Sequence, residues 1–219
     1  MKSSAASIRA KLMNLARNEN ISFQLIIIRY LQERFLFRLS ISRFSANFLL
    51  KGGALLYALE GSKTRSTKDI DFLGKNISNE SEIIRKAFIE ICAIDNPADC
   101  VWFDANSIIS QTITDQEKYP GIRIFVDAGF DTIQQRLQID IGFGDIVSPS
   151  PVKIDYPLLI SNLQAPKLFV YSIETVIAEK FQAMIELSTA NSRMKDFYDV
   201  YQLIKSDKFN KIGLQVAIK

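Results

Sequence analysis

The sequence predicts a mixed α+β domain, and three observations carry that prediction. Apolar residues recur at helical spacing over the first forty positions. Short alternating or wholly apolar runs follow between about 48 and 145. Helical periodicity then returns from 173 onward. The chain has 219 residues, of which 47% are hydrophobic and 23% charged, the composition of an ordinary globular protein with a real core.

At the N-terminus, Ile8, Leu12 and Leu15 share one helix face, with Arg9, Lys11 and Arg17 on others. From Ser22 to about Leu39 the apolar density (Ile26, Ile27, Ile28, Leu31, Phe35, Leu36) demands a helix covered on most sides. Arg29, Arg34, Arg38 and Arg43 make this stretch basic, and scattered charge of this kind reads as a solvated helix edge. Phe48-Leu49-Leu50 is a short strand-like run ending in Lys51-Gly52-Gly53, with a compact helix over Ala54 to Leu59. After a polar loop, Asp69-Ile70-Asp71-Phe72-Leu73 is strand-like and Ser81 to Ile91 helical. Strand-like pieces recur at 101–103, 122–126 and 137–141. Pro149, Pro151, Pro157 and Pro166 mark a connector. Helices are expected at 173–187 and 194–204, with a further helical stretch from Ile212 to Ile218. The expected organisation is 1–150, N-terminal helices plus a sheet domain, and 151–219, a C-terminal helical part.

Composition narrows the chemistry. There is no histidine, which excludes His-based triads and His-ligated metals. Cys92 and Cys100 alone cannot build a four-ligand zinc site. Catalysis must rest on Asp, Glu, Lys, Arg, Ser, Thr or Tyr, with a hard cation on carboxylates. With 27 basic and 24 acidic residues, the charge of +3 allows an anionic partner without demanding one. The longest early apolar run, Leu25 to Ile28, is cut by Arg29 and fits neither a signal sequence nor a membrane span. The expected setting is the cytoplasm.

The sharpest feature is Asp69-Ile70-Asp71-Phe72. In a strand, residues two apart project to one face, so both carboxylates point one way while Ile70 and Phe72 enter the core. Two such carboxylates repel unless a cation sits between them, and magnesium with a nucleotide's phosphates suits that role. Gly52 and Gly53 stand at a strand-to-helix junction where backbone N–H groups can face a phosphate. Asp140 alternates against Ile139 and Ile141 and so faces away from that strand's apolar side. If its strand lies beside the first, Asp69, Asp71 and Asp140 converge as metal ligands, an arrangement suited to metal-assisted phosphoryl or nucleotidyl transfer.

Four stretches, in order, carry a family resemblance. They are Lys51-Gly52-Gly53-Ala54-Leu55 with Arg65-Ser66-Thr67-Lys68-Asp69-Ile70-Asp71-Phe72; Gln138 through Asp145; Glu179-Lys180-Phe181-Gln182-Ala183; and Arg193 through Val200. Together they resemble the polymerase-β-like nucleotidyltransferase superfamily, and within it the AbiEii/AbiGii toxin family of type IV toxin–antitoxin and abortive-infection systems. The resemblance implies a polymerase-β-like core with a mixed sheet. It makes Asp69, Asp71, Lys180 and Asp196 catalytic residues, Asp69 and Asp71 metal-holding, and Gly52 and Gly53 the phosphate loop. Lys180 would meet triphosphate charge, with Arg65 and Lys195 as supports. For Asp199, pairing with Arg193 or Lys195 along one helix face is the expected role. Ala54 stands where the superfamily often has a hydroxyl residue. Lys219 ends the sequence where members commonly run on into further helices.

The implied reaction uses Mg2+ and moves an NMP from an NTP to an RNA acceptor, with the tRNA 3′ end the best-known class. The partners are therefore NTP, an RNA and a cognate antitoxin without a stable complex, and no membrane. Candidates for a cationic RNA approach are Arg9, Arg17, Arg29, Arg34, Arg38 and Arg43, with Lys63, Lys68 and Lys75. Two other readings stay open: transfer to a small hydroxylated acceptor such as an antibiotic, and a catalytically silent nucleotide-binding module.

Overall fold

The structure, a computed structural model, describes residues 4–61, 64, 67–113, 120–187 and 194–218. Helices α1 (Ala5–Glu19) and α2 (Phe23–Ile41) open the chain. Each begins at a serine whose hydroxyl accepts a backbone N–H, Ser4 from Ser7 and Ser22 from Leu25, which satisfies an otherwise orphaned donor. Asn20 ends α1 in the left-handed conformation (φ 53°). Then follow β1 (Phe48–Lys51), α3 (Gly52–Glu60), β2 (Asp69–Gly74), α4 (Ser81–Cys92) and the long strands β3 (Val101–Ile113), β4 (Gly121–Phe130) and β5 (Ile133–Phe143). Two short strands, β6 (Val152–Asp155) and β7 (Lys167–Val170), precede α5 (Ile173–Leu187), α6 (Met194–Ser206) and α7 (Lys211–Ile218).

The strands form one mixed sheet in the order β3-β4-β5-β2-β1-β7-β6. β2 runs parallel to β5 and antiparallel to β1, so the strand bearing Asp69 and Asp71 lies between those bearing Asp140 and Lys51. One face carries Ile70, Phe72, Ile124, Ile139 and Ile141, all buried, and packs into the core with α2 and α4. Burying such side chains contributes roughly 1.5–3 kcal/mol each. The opposite face carries the polar residues of the site.

Two expectations change here. The proline-marked connector contains β6 and β7, which extend the sheet beyond β1. Each follows directly on a proline, Pro151 or Pro166, and spans four residues, too short to show a periodicity. The larger correction concerns α2. It is buried on every side from Ile26 to Leu39, and this includes Arg29, Arg34 and Arg38. Arg38 spends all five N–H donors inside the protein: on both oxygens of Asp99 (2.9 and 3.3 Å) and on the carbonyls of Val101, Ile94 and Arg34. Arg34 pairs with Glu33 (2.7 Å), and Arg29 lies over the Tyr57 ring and 3.7 Å from Glu19. Burial pushes the Glu33 carboxyl up to about 7, against the pull of Arg34 and the Leu159 N–H. These three arginines are therefore internal anchors and cannot form an RNA approach surface. Arg9 and Arg43 do reach the exterior, in ion pairs with Asp131 and Glu90.

Candidate active site

The register of the sheet builds the site. Directly paired positions project to the same side, and Lys51, Asp71, Asp140, Arg123 and Gln111 form one such row across β1, β2, β5, β4 and β3. The row two residues along reads Asp69, Gln138, Phe125, Ile109. Two anionic positions at the centre are thus flanked by a cation on each side. Asp69, Asp71 and Asp140 each offer a carboxylate oxygen within 4.8 Å of the others, so the predicted convergence is present.

Each carboxylate is held differently. Asp140 receives both arms of the Arg123 guanidinium (2.7 and 2.8 Å) and the Gln138 amide (3.1 Å). Asp69 accepts the Thr67 hydroxyl. Asp71 lies beneath the start of α3. Burial, then Asp69 and then Asp140 raise its carboxyl from 3.8 to about 6, while Lys51 and the Gly53 N–H pull it down. The three oxygens leave two crowded negative charges, on Asp69 and Asp71, with a hydroxyl and a backbone N–H as close support. That donor set suits a hard, oxygen-seeking divalent cation, so the residues fit magnesium.

Gly52 and Gly53 are both required by space, and Gly52 by conformation as well. Gly52 has φ +63°, and a Cβ there would stand 1.9 Å from Asp71 Oδ2. A Cβ on Gly53 would meet Thr67 Cβ at 2.7 Å. The glycine pair therefore lets the first turn of α3 rest against the carboxylates, on the side of Asp71 away from Asp140.

Ion pairs tie the four sequence stretches together. Lys51 Nζ donates to Asp145 and to Glu179, both at 2.7 Å, and the Tyr171 hydroxyl donates to the same Asp145 oxygen. The carboxylates more than offset the burial of Lys51 and hold its ammonium protonated far above neutrality. Lys180, on α5, donates to Asp196 and Asp199 of α6 at 2.9 Å each, and all three are buried. Asp199 thus faces Lys180, while its expected partner Arg193 lies outside the described residues. Asp196 is joined to Lys180 and stands outside the cluster of Asp69, Asp71 and Asp140. Arg65, Lys63 and Arg193 lie outside the described residues.

Sequence reasoning missed Lys51, Arg123, Gln138 and Thr67. Arg123 and Gln138 did carry a signal, since each alternates with buried isoleucine or leucine and so belongs to the polar face of its strand. Lys51 abuts the glycine pair, but its partners lie 94 and 128 positions away.

A mixed sheet that brings an Asp-x-Asp pair and a third aspartate beneath a glycine-started helix defines a nucleotidyltransferase-type site. Residues 34–219 match the family model described as "Nucleotidyl transferase AbiEii toxin, Type IV TA system", and the chain belongs to that family. It is a nucleotidyltransferase, with an NTP as the substrate class of the family. Among solved structures it is similar to a Helicobacter pylori protein described as a nucleotidyltransferase. That likeness has 18% identity and a TM-score of 0.54, and covers 87% of this chain and 73% of the other. It is also similar to the JHP933 protein of Helicobacter pylori, with 18% identity, a TM-score of 0.53, and coverage of 86% and 70%. No curated protein matches the sequence significantly. Among the described residues, no helix is long and apolar enough to cross a membrane.

Proposed function

We propose that the protein transfers a nucleoside monophosphate from an NTP to the 3′ end of an RNA, a tRNA being the favoured acceptor, and thereby acts as the toxin of a type IV pair. The observation that carries this reading is the convergence of Asp69, Asp71 and Asp140 within 4.8 Å beside Gly52 and Gly53. In the reaction, an acceptor hydroxyl oxygen forms a bond to the α-phosphorus. The bond from that phosphorus to the pyrophosphate oxygen breaks, and the hydroxyl proton passes to a carboxylate.

Asp69 and Asp71, with Asp140 beside them, would hold magnesium. Bound there, the ion supplies charge to the phosphate oxygens and polarises the α-phosphate. The remaining work belongs to the chain. Apart from the Gly53 N–H, which is on Asp71, backbone N–H groups at the start of α3 would meet the triphosphate, with no hydroxyl from Ala54. Arg123 fixes the rotamer of Asp140 through two parallel hydrogen bonds. Lys51 pairs with Asp145 and Glu179 and offsets part of their charge, and its ammonium pulls the Asp71 carboxyl down. Lys180 has two of its N–H groups on Asp196 and Asp199, and its third would serve a phosphate oxygen of the substrate.

The test is direct. The protein is incubated with total RNA, magnesium and each of the four labelled NTPs in turn, beside an Asp71→Asn variant. Label on a discrete RNA with the unmodified protein alone is the expected result. Label on an added small alcohol or aminoglycoside, and none on RNA, would replace the acceptor. No transfer at all, with nucleotide still bound, would leave a silent binding module.

A further inference from the structure

α3 and its glycines approach Asp71 from the β1 side, whereas β5 and β4 lie on the other side of β2. Displacement at phosphorus needs the attacking oxygen and the departing pyrophosphate roughly in line. With the triphosphate on the β1 side, the attacking hydroxyl arrives over β5 and β4. A cavity of about 270 Å³ opens beside Asp69 at the start of β2, where Phe125, Arg136 and Gln138 of the polar face meet Lys68 and, from the core side, Ile28 and Gln135.

Phe125 is the unusual member. Its neighbours along the same face of β4 are Arg123 and Asp127, both held in ion pairs, yet at 125 the face presents a half-buried aromatic ring. Ile109, 46% exposed, is paired with it on β3 and widens the apolar shelf. Across the other side, Gln138 separates the ring from Asp69. An aromatic shelf two strands from the strand of Asp69 and Asp71, with Lys68 and Arg136 at its margin, has the make-up of a single-strand nucleic-acid subsite. Bases stack on the ring without regard to sequence, and cations meet the phosphates. The same cations disfavour a polycationic small acceptor.

We propose that this cavity is the acceptor subsite, in which the terminal base of a single-stranded RNA 3′ end stacks on Phe125 while Lys68 meets the phosphate behind it. The proposal rests on the transfer reading above and gives it a specific acceptor geometry.

The probe is a short single-stranded RNA with 2-aminopurine as its 3′-terminal base, titrated with the full chain in the presence of a non-hydrolysable NTP. Stacking should quench the fluorophore with the unmodified protein and with Phe125→Trp. Phe125→Leu should weaken binding about 5- to 150-fold, with nucleotide affinity, read by displacement of a fluorescent NTP analogue, unchanged. Lys68→Glu should weaken RNA binding more at low salt than at high salt. Equal quenching and affinity in Phe125→Leu, or no quenching with the unmodified protein, would overturn the proposal. Should Phe125→Leu fail to fold by circular dichroism, the decision passes to Phe125→Trp and Lys68→Glu. Loss of quenching in the first, or no salt-dependent effect in the second, would then overturn it. The two readings separate cleanly. RNA labelling by the unmodified protein with an unchanged KM for RNA in Phe125→Leu removes the subsite and keeps transfer. Quenching that depends on Phe125, with no transfer to any RNA, keeps the subsite and removes transfer.

Discussion

Replacing Asp71 with asparagine should abolish transfer and, without metal, stabilise the fold. In the metal-free protein the carboxyl of Asp71 is raised from 3.8 to about 6, first by burial and then by Asp69 and Asp140. A folded value above the unfolded one means that the native state holds the proton more tightly. Ionisation therefore costs stability. The cost is absent below about pH 4, grows through the interval between the two values, and is complete above about pH 6. That displacement, at about 1.4 kcal/mol per tenfold, amounts to roughly 3 kcal/mol at pH 8. The asparagine keeps the volume and can still accept the Gly53 N–H, but its amide needs a partner, so a gain of roughly 1–3 kcal/mol is expected. The assay is urea unfolding of both proteins with EDTA, at pH 4 and pH 8. The variant should be more stable at pH 8 and nearly equal at pH 4. Magnesium with a non-hydrolysable NTP should stabilise the unmodified protein far more than the variant. An Asp71→Asn protein less stable than the unmodified one at pH 8 without metal would mean that neither burial nor its acidic neighbours penalise the Asp71 charge.

Three further substitutions probe the surroundings. Gly52→Ala forces a Cβ to 1.9 Å from Asp71 Oδ2 at φ +63°; kcat/KM should fall about 100-fold or more with the fold retained, as read by transfer kinetics and melting. Arg38→Ala leaves Asp99 buried without its guanidinium partner and should cost about 3–5 kcal/mol in urea unfolding; a loss near zero would show that the pair is not an internal anchor. Lys180→Met leaves Asp196 and Asp199 buried side by side. It should lose transfer activity and lower the melting temperature, whereas Lys180→Arg should recover more of the melting temperature than of the activity.

The Asp69–Asp71 pair was readable from local sequence because strand alternation alone sets both carboxylates on one face. Asp140 could be oriented in the same way. Its position beside Asp71 depends on β5 running parallel to β2, a long-range pairing that no local pattern states. Helix α2 shows both sides of this limit. Its apolar density announced a covered helix, but the fate of Arg38 was decided by Asp99, 61 positions on, together with carbonyls at 94 and 101. Charges judged by their own neighbourhood look solvated when their partners arrive from elsewhere in the fold. Lys180 was identified through resemblance, and the structure adds what resemblance left out, that two aspartates of the following helix already hold it. Phe125 read only as a strand residue. Its interest comes from the two neighbours that register puts beside it.

The most direct measurement is a crystal structure with manganese and a non-hydrolysable NTP. The expected result is an anomalous peak touched by oxygens of Asp69 and Asp71, with the triphosphate against the backbone of Gly52 and Gly53. A peak elsewhere, or a triphosphate bound away from these residues, would contradict it.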